Sequence, residues 1–223
     1  DLVRSRGLGD VYKRQHPYLA EWSPYHGAAY AVIEATARLV AAGGEWSKAR
    51  FSYQEYFERM DKKAERFGQP VSALLGSIEA QIQLGLPSIG GKDSMSGTFE
   101  ELTVPPTLVA FGVTTADSRK VLSPEFKAVG EWIYYIPGPA LSQEIDFETV
   151  KANFTQFTSL QKEHKISAAS AVKYGGVLES LALMSLGNRI GAKVNLTDLS
   201  TCLTGQLGGF VFTSKEDIPN VAK

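Results

Sequence analysis

The sequence predicts an α/β (α+β) protein of two units, each a mixed sheet with helices packed on one face. Amphipathic helical patterns alternate with short apolar stretches that have the length of strands. Residues 107–114, TLVAFGVT, form an almost continuous apolar run, which is typical of a strand buried on both faces. A connector containing Pro124 and Gly130 separates two such groups of elements, so a boundary is expected at residues 119–130.

The composition excludes several classes of protein. The 223 residues carry 23 Lys and Arg against 24 Asp and Glu, and a net charge of −1 provides no basic field for nucleic acid. No apolar run reaches the roughly 18 residues of a membrane span, so no membrane partner is expected. The single cysteine, Cys202, excludes an internal disulfide framework and fits a reducing, cytoplasmic location.

Both ends of the sequence resemble points at which a longer sequence was cut. Residues 1–15, DLVRSRGLGDVYKRQ, lack apolar periodicity, an initiating Met and the apolar stretch of a signal peptide. They resemble translated adapter or vector sequence, so we expect a foreign leader; a basic arm that grips phosphates is the alternative. The sequence stops at Lys223 shortly after an apolar run, so the second unit, residues 131–223, is expected to be truncated.

Three helices are predicted in the first unit, residues 16–118. The first begins after Ser23, and the second after Ser52, which forms a capping-box pattern with Glu55. The third begins at Pro70, the favoured first position of a helix. Its spacing predicts a buried face made of Val71, Leu74, Leu75, Ile78 and Ile82.

The remaining elements follow from short apolar runs and helical periodicity. Strands are predicted at residues 86–89, 107–114, 131–136, 192–196 and 206–212. In the second unit, helices are predicted from Asp146 onwards and over residues 177–186. The apolar face of the helix after Asp146 is Phe147, Val150, Phe154 and Phe157, which predicts a core contact.

The densest polar cluster is GGKDSMSG at residues 90–97, just after a predicted strand. Gly90 and Gly91 would allow a sharp turn that exposes N–H groups, and Lys92 offers a charge to phosphate. Asp93 is suited to hold Mg²⁺ or to orient a hydroxyl, and Ser94 extends the polar set. The spacing is not a Walker A loop, because Asp93 stands where that loop needs Ser or Thr. A phosphate-binding loop and a plain tight turn both fit the pattern.

Two further residues are candidates for chemistry. His26 lies in the first turn of the first predicted helix, where N–H groups favour anions, so phosphate contact is one interpretation. Packing against Trp22 and Tyr25 is the other. Cys202 lacks the glycine-flanked turn of a glutaminase nucleophile, so we expect a small buried hydrophobe.

Several segments together resemble phosphoribosylformylglycinamidine synthase, the ATP- and glutamine-dependent ligase of purine biosynthesis. The most specific segments are IGGKDSMSGTF and VPPTLVAFGVTTAD. The stretches YLAEWSPYHGAAYAVIEATARLVAAGG, FSYQEYFE and YGGVLESLALMSLGNRIG are similar to the same family in the same order. The resemblance covers residues 16–223 and implies two units of the aminoimidazole ribonucleotide synthetase type. They correspond to the end of the N-terminal domain and most of the C-terminal domain of the family's second synthetase half.

The resemblance implies a reaction and a set of ligands. Formylglycinamide ribonucleotide, ATP and glutamine would give the amidine, ADP, phosphate and glutamate. The implied cofactors are ATP or ADP and Mg²⁺, and the implied protein partners are the remaining domains of the ligase, including its glutaminase. By residue type, the candidates for binding nucleotide or phosphate are Gly90, Gly91, Lys92, Asp93, Ser94 and His26, with Asp93 also a candidate metal ligand.

One residue departs from the family pattern. Much of the superfamily has a metal-ligating Asp before a Gly-Gly pair, and here Tyr174 stands in that place. A phenol is a poor Mg²⁺ ligand, and the resemblance implies that the acidic residues holding most of the metal lie upstream of this fragment. The isolated fragment is therefore expected to be inactive, since it has neither a full metal shell nor the glutaminase. One alternative is a non-catalytic half of the same enzyme, structural or binding an auxiliary nucleotide. The other is a different ATP-using relative of aminoimidazole ribonucleotide synthetase.

Overall fold

The chain folds into two compact units. The computed structural model describes residues 12–14, 17–94, 97–195 and 198–223. The N-terminal unit comprises the described residues from 12 to 36 together with Ser47–Thr114. The C-terminal unit comprises Ala37–Trp46 and Thr115–Lys223. The segment Ala37–Trp46 therefore interrupts the first unit in sequence and belongs to the second unit, which a division by chain order does not anticipate.

The first long helix forms as predicted. A short helix, α1 (Pro17–Trp22), precedes α2 (Pro24–Ala41). Ser23 is the residue before α2, and its hydroxyl oxygen accepts a hydrogen bond from the backbone N–H of His26 at 3.4 Å. The apolar stripe of α2 is buried at Ala28, Ala31, Val32, Ala35 and Leu39.

The N-terminal unit contains a four-stranded mixed sheet. Its strands are β1 (Tyr12–Arg14), β2 (Arg50–Tyr56), β3 (Ser88–Ser94) and β6 (Thr107–Val113), in the order β1-β6-β2-β3. Strand β3 is parallel to β2, whereas β6 is antiparallel to both β1 and β2. The register of β2 and β3 shifts by one residue, because Phe51 lies opposite Ser88 and Ser52 lies opposite Gly90. Ile89 is therefore an extra residue on β3.

The helix predicted after Ser52 is wrong, since these residues form β2. Phe51, Tyr53 and Glu55 are buried, and the residues between them are more exposed, which is the period of two that a strand requires. Ser and Glu three residues apart satisfy the capping-box pattern, but aromatic residues at alternate positions favour a strand.

The third predicted helix forms, but its predicted buried face is wrong. Helix α3 (Ala64–Leu84) begins six residues before Pro70, and its buried residues are Pro70, Ala73, Gly76, Ser77, Ala80 and Leu84. A methyl group added to Gly76 would lie 2.0 Å from the carbonyl oxygen of Tyr25 in α2. Small residues are needed on this face because the two helix backbones approach closely, and the large apolar side chains therefore lie on the other side.

A short hairpin, β4 (Thr98–Phe99) with β5 (Leu102–Thr103), follows β3 and completes the N-terminal unit. None of the helices in the described part of the chain combines the length and the hydropathy that a bilayer crossing requires.

The C-terminal unit has a three-stranded antiparallel sheet in the order β7-β9-β8. Its strands are β7 (Trp132–Ile136), β8 (Ile166–Ala171) and β9 (Phe210–Ser214), and its helices are α4 (Phe147–Glu163), α5 (Gly176–Asn188) and α6 (Leu199–Leu203). Asp146 caps α4, since its Oδ1 accepts the Thr149 N–H at 2.9 Å. The predicted aromatic core contact is confirmed: the rings of Phe157 and Phe210 stack with centroids 4.5 Å apart.

Two strand assignments in this unit differ from the sequence prediction. Residues 192–195 of the strand expected at 192–196 are irregular and exposed, and Leu196 lies outside the described residues. Strand β8, ISAASA, was not predicted, because a run of small residues gives no alternation of large apolar and polar side chains.

Candidate functional site

The segment GGKDS lies within a strand and not in a loop. Residues Ser88–Ser94 form β3, the edge strand beside β2, so the predicted sharp turn at Gly90 and Gly91 is wrong. A side chain at Gly91 would bring a Cβ to 3.0 Å from the carbonyl oxygen of Tyr53, whereas Gly90 faces open space. The glycine at position 91 thus permits close pairing with β2. This pairing explains why glycine occupies the position.

The strand separates the two charged candidates onto opposite faces of the sheet. Lys92 lies opposite Gln54 of β2, and Asp93 lies opposite Glu55. Because successive side chains of a strand point to opposite faces, Lys92 and Asp93 cannot contact one small ligand from the same side. A phosphate bound by Lys92 and a cation bound by Asp93 would lie on different sides of β3.

The face that carries Lys92 forms a small polar cluster. The Lys92 ammonium lies 3.4 Å from the Ser94 hydroxyl oxygen, to which it donates. The Gln54 side-chain amide donates to the same hydroxyl at 3.4 Å and to the Lys92 carbonyl oxygen at 3.1 Å. Lys92 and Ser94 therefore lie together, and Gln54 joins them. Sequence reasoning missed Gln54 because only the register of β2 against β3 shows it.

The opposite face carries a buried acid. Glu55 is 1% exposed, and both of its carboxyl oxygens are buried. Burial raises the pKa of Glu55 to about 8, and the neighbouring Asp93 carboxylate, which favours the protonated form of Glu55, adds to the effect. The nearby Tyr53 hydroxyl is also buried, and burial raises its pKa. Burial and the neighbouring Asp93 therefore favour the protonated, neutral form of Glu55.

His26 is held at the start of α2. Its Nδ1 lies 2.8 Å from the Ser23 hydroxyl oxygen, and its ring lies 5.0 Å from that of Trp22 and 5.2 Å from that of Tyr25, between centroids. The packing interpretation of His26 matches these contacts. Phosphate binding by His26 stays a prediction.

The second Gly-Gly pair precedes α5 in the C-terminal unit. Gly176 has φ of +72°, and a Cβ there would lie 2.3 Å from the carbonyl oxygen of Cys202, so glycine is required. The Gly175 N–H donates to Glu179 Oε2 at 2.8 Å, and Lys173 Nζ lies 3.7 Å from Glu179 Oε1. A carboxylate of the protein itself therefore occupies the position that an anion would take at this helix N-terminus.

The residues that the structure describes do not fit a magnesium site. Tyr174, where the superfamily has Asp, is 54% exposed. Within the described ranges, no group of three or more His, Cys, Asp or Glu side chains is arranged to hold a metal ion. Asp93 alone supplies one carboxylate on an edge strand, whereas Mg²⁺ requires near-octahedral coordination by oxygen atoms.

Cys202 lies in α6, partly buried against the core of the C-terminal unit, whose members include Val177 and Met184. This placement matches the packing role expected for a small hydrophobe.

Comparison with known proteins gives matches along most of the chain. The PurL subunit of phosphoribosylformylglycinamidine synthase from Picrophilus torridus is 25% identical over 206 residues, which cover 86% of this chain and 27% of that protein. The same subunit from Lacticaseibacillus paracasei is 27% identical over 194 residues, covering 78% of this chain and 26% of that protein. The resemblance to phosphoribosylformylglycinamidine synthase is confirmed. The chain spans about a quarter of the length of these relatives. No family model matches it.

Solved PurL structures have the same fold. Thermotoga maritima PurL complexed with ATP aligns with a TM-score of 0.71 at 14% identity, covering 95% of this chain and 38% of that chain. T. maritima PurL complexed with FGAR aligns with a TM-score of 0.68 at 14% identity, covering 94% and 39%. The predicted α/β fold class is therefore confirmed.

Proposed function

We propose that this chain is part of an ATP-dependent ligase that converts formylglycinamide ribonucleotide to the corresponding amidine in purine biosynthesis. The observation that carries the proposal is the sequence match to the PurL subunits of Picrophilus torridus and Lacticaseibacillus paracasei across most of the chain. The fold shared with PurL along 95% of the chain supports it. Complexes of the T. maritima relative with ATP and with FGAR support these two substrates.

The proposed reaction activates an amide for displacement. ATP would phosphorylate the amide oxygen of the substrate, which converts that oxygen into a leaving group. Ammonia released from glutamine by a glutaminase would then displace phosphate, giving the amidine, ADP and phosphate. Such chemistry depends on cations and N–H donors that face the developing charge. Within this chain, Lys92 and the N–H groups of the free edge of β3 are the groups suited to a phosphate.

A second candidate is that the chain is a structural or auxiliary nucleotide-binding half of the same enzyme. Tyr174 in place of Asp favours it, as does the Glu179 carboxylate at the N-terminus of α5. Under both candidates the metal ligands and the glutaminase are supplied by the remaining domains of a cytoplasmic enzyme, and the isolated chain has no ligase activity.

A chimeric enzyme tests the proposal. Residues 18–214 would replace the matching stretch of the L. paracasei PurL subunit, and amidine formation would be measured with ATP, Mg²⁺ and ammonia. We expect turnover by the chimera and none by the isolated chain. The parent subunit with the stretch deleted serves as the control. A chimera that folds, as judged by circular dichroism and a single hydrodynamic species, yet makes no amidine would contradict the proposal.

The nucleotide content of the active chimera separates the two candidates. ADP that stays bound through many turnovers indicates an auxiliary site. Rapid exchange of labelled ADP indicates a site that turns over.

A further inference from the structure

The side chain of Gln54 connects β2 to the polar cluster of β3. Gln54 lies directly opposite Lys92, so the two side chains stand on the same face of the sheet. The Gln54 amide Nε2 donates to the Lys92 carbonyl oxygen at 3.1 Å and to the Ser94 hydroxyl oxygen at 3.4 Å. One side chain of β2 therefore contacts both polar residues on this face of β3.

These contacts orient the hydroxyl group of Ser94. A serine hydroxyl has one proton to donate and two lone pairs that accept. The Gln54 amide and the Lys92 ammonium both donate to the Ser94 hydroxyl oxygen, each at 3.4 Å, and so occupy the two lone pairs. The hydroxyl proton then points away from both donors. Ser94 is therefore presented as a hydrogen-bond donor, a role that its residue type alone does not determine.

Lys92 and Ser94 together form a positively charged set of donors. Lys92 is exposed and Ser94 is half-buried, so a ligand from solvent can reach both side chains. The Lys92 ammonium has two N–H groups besides the one directed at Ser94. Asp93, the adjacent acidic residue in sequence, points to the opposite face of the sheet and does not neutralise this charge. A cationic donor beside an outward O–H group suits the oxygen atoms of a phosphate, which are negatively charged and accept hydrogen bonds.

We propose that Gln54 is a positioning residue for phosphate recognition, and that it acts by turning the hydroxyl proton of Ser94 towards a phosphate oxygen of the nucleotide. The nucleotide itself comes from the proposed function, on which this inference rests. The two 3.4 Å contacts are long for hydrogen bonds, and they strengthen when phosphate binds, because a hydroxyl that donates also accepts more strongly. Without the Gln54 amide, one lone pair of Ser94 is free and the hydroxyl proton is no longer held in one direction.

Titration of the full 223-residue chain with ADP, followed by the NMR signals of its backbone amides, tests the role of Gln54. We expect Q54L and S94A each to weaken ADP binding about fivefold, which corresponds to the loss of one hydrogen bond. Adenosine, which has no phosphate, should bind the wild-type chain and both variants equally. The matched control is Q83L, because Gln83 is an exposed glutamine of α3 that contacts Glu79. Circular dichroism establishes that each variant is folded.

Three results of this titration would overturn the inference. The first is a wild-type chain that does not bind ADP. The second is an affinity for ADP that either Q54L or S94A leaves unchanged. The third is an equal loss of affinity for ADP and for adenosine, since this would mean that the substitution acts on something other than the phosphate group.

A double-mutant cycle distinguishes positioning from a contact that only braces the two strands. If Gln54 acts through Ser94, its loss has no further effect once the hydroxyl is absent, and Q54L/S94A should bind ADP within about twofold of S94A alone. If the two side chains act independently, the two losses multiply to about 25-fold, and this result overturns the inference.

Amidine formation by the PurL chimera separates this inference from the proposed function. An active chimera together with a Q54L chain that binds ADP normally overturns the role of Gln54 and leaves the proposed function intact. An inactive, folded chimera together with a chain whose ADP binding depends on Gln54 and Ser94 contradicts the proposed function and supports the role of Gln54 in phosphate binding.

Discussion

The buried acid Glu55 makes the stability of the N-terminal unit depend on pH. Its pKa is about 8 in the folded chain, against an ordinary value of 4.5. Between these values the folded state holds a proton that the unfolded state releases, so stability falls as the pH rises. Each unit of this interval costs about 1.4 kcal/mol, so the full effect approaches about 5 kcal/mol. Above pH 8 both states are ionised, and the loss is complete.

The variant Glu55→Gln removes this effect, because the amide resembles the protonated acid in shape and cannot ionise. Urea unfolding of both proteins at pH 5, 6, 7, 8 and 9 measures the difference in free energy of unfolding. We expect the two proteins to be similar near pH 5 and the variant to be more stable by several kcal/mol at pH 8. Glu65→Gln, at an exposed glutamate in the first turn of α3, is the control.

The reasoning would be refuted if the free energies of unfolding of the wild-type chain and of E55Q changed with pH in the same way from pH 5 to pH 9. Asp93 also faces Glu55, so D93N provides a second measurement. Removal of its charge should lower the pKa of Glu55, so the loss of stability should be smaller and should be complete at a lower pH, without being abolished.

Three further predictions concern packing and the candidate site. Gly76→Ala should destabilise the N-terminal unit by at least about 2 kcal/mol, because the added methyl would lie 2.0 Å from the Tyr25 carbonyl oxygen; an unchanged urea midpoint would contradict the close packing of α3 on α2. Phe157→Ala should cost about 3–5 kcal/mol, since its ring is fully buried and stacks on Phe210. A loss below about 1 kcal/mol by urea unfolding would show that this contact does not organise the C-terminal core. Lys92→Ala should change the free energy of unfolding by no more than about 0.5 kcal/mol, because the side chain is exposed. The same variant in the PurL chimera should lower the amount of nucleotide retained, and full retention would remove Lys92 from the candidate site.

The helices with long amphipathic patterns could be predicted from the sequence. Helix α2 has a capping residue, Ser23, and a regular apolar stripe, and both signals agree with its burial. Helix α3 also has a regular stripe, but periodicity identifies a helix without showing which face is covered. Here the close approach at Gly76 decided the burial, and this is a tertiary contact that the local pattern does not contain.

The candidate site was predictable only in part. The sequence identified GGKDS as a polar segment, and the resemblance to phosphoribosylformylglycinamidine synthase was carried by the same residues. The loop geometry could not be predicted, because extended pairing with β2 depends on a strand that local patterns assigned to a helix. For the same reason Gln54 and Glu55 were missed as neighbours of Lys92 and Asp93, since residues so distant in sequence are joined only by strand register.

The extra residue in β3 determines which charge the buried acid faces. If Ile89 instead lay opposite Ser52 and the pairing of Phe51 with Ser88 were kept, every later residue of β3 would move by one position. Lys92 and not Asp93 would then lie opposite Glu55. An ammonium group would replace a carboxylate, and Glu55 would be stabilised as an anion. Whether this one residue is paired or left unpaired therefore decides the local electrostatics of this edge without altering any charged side chain.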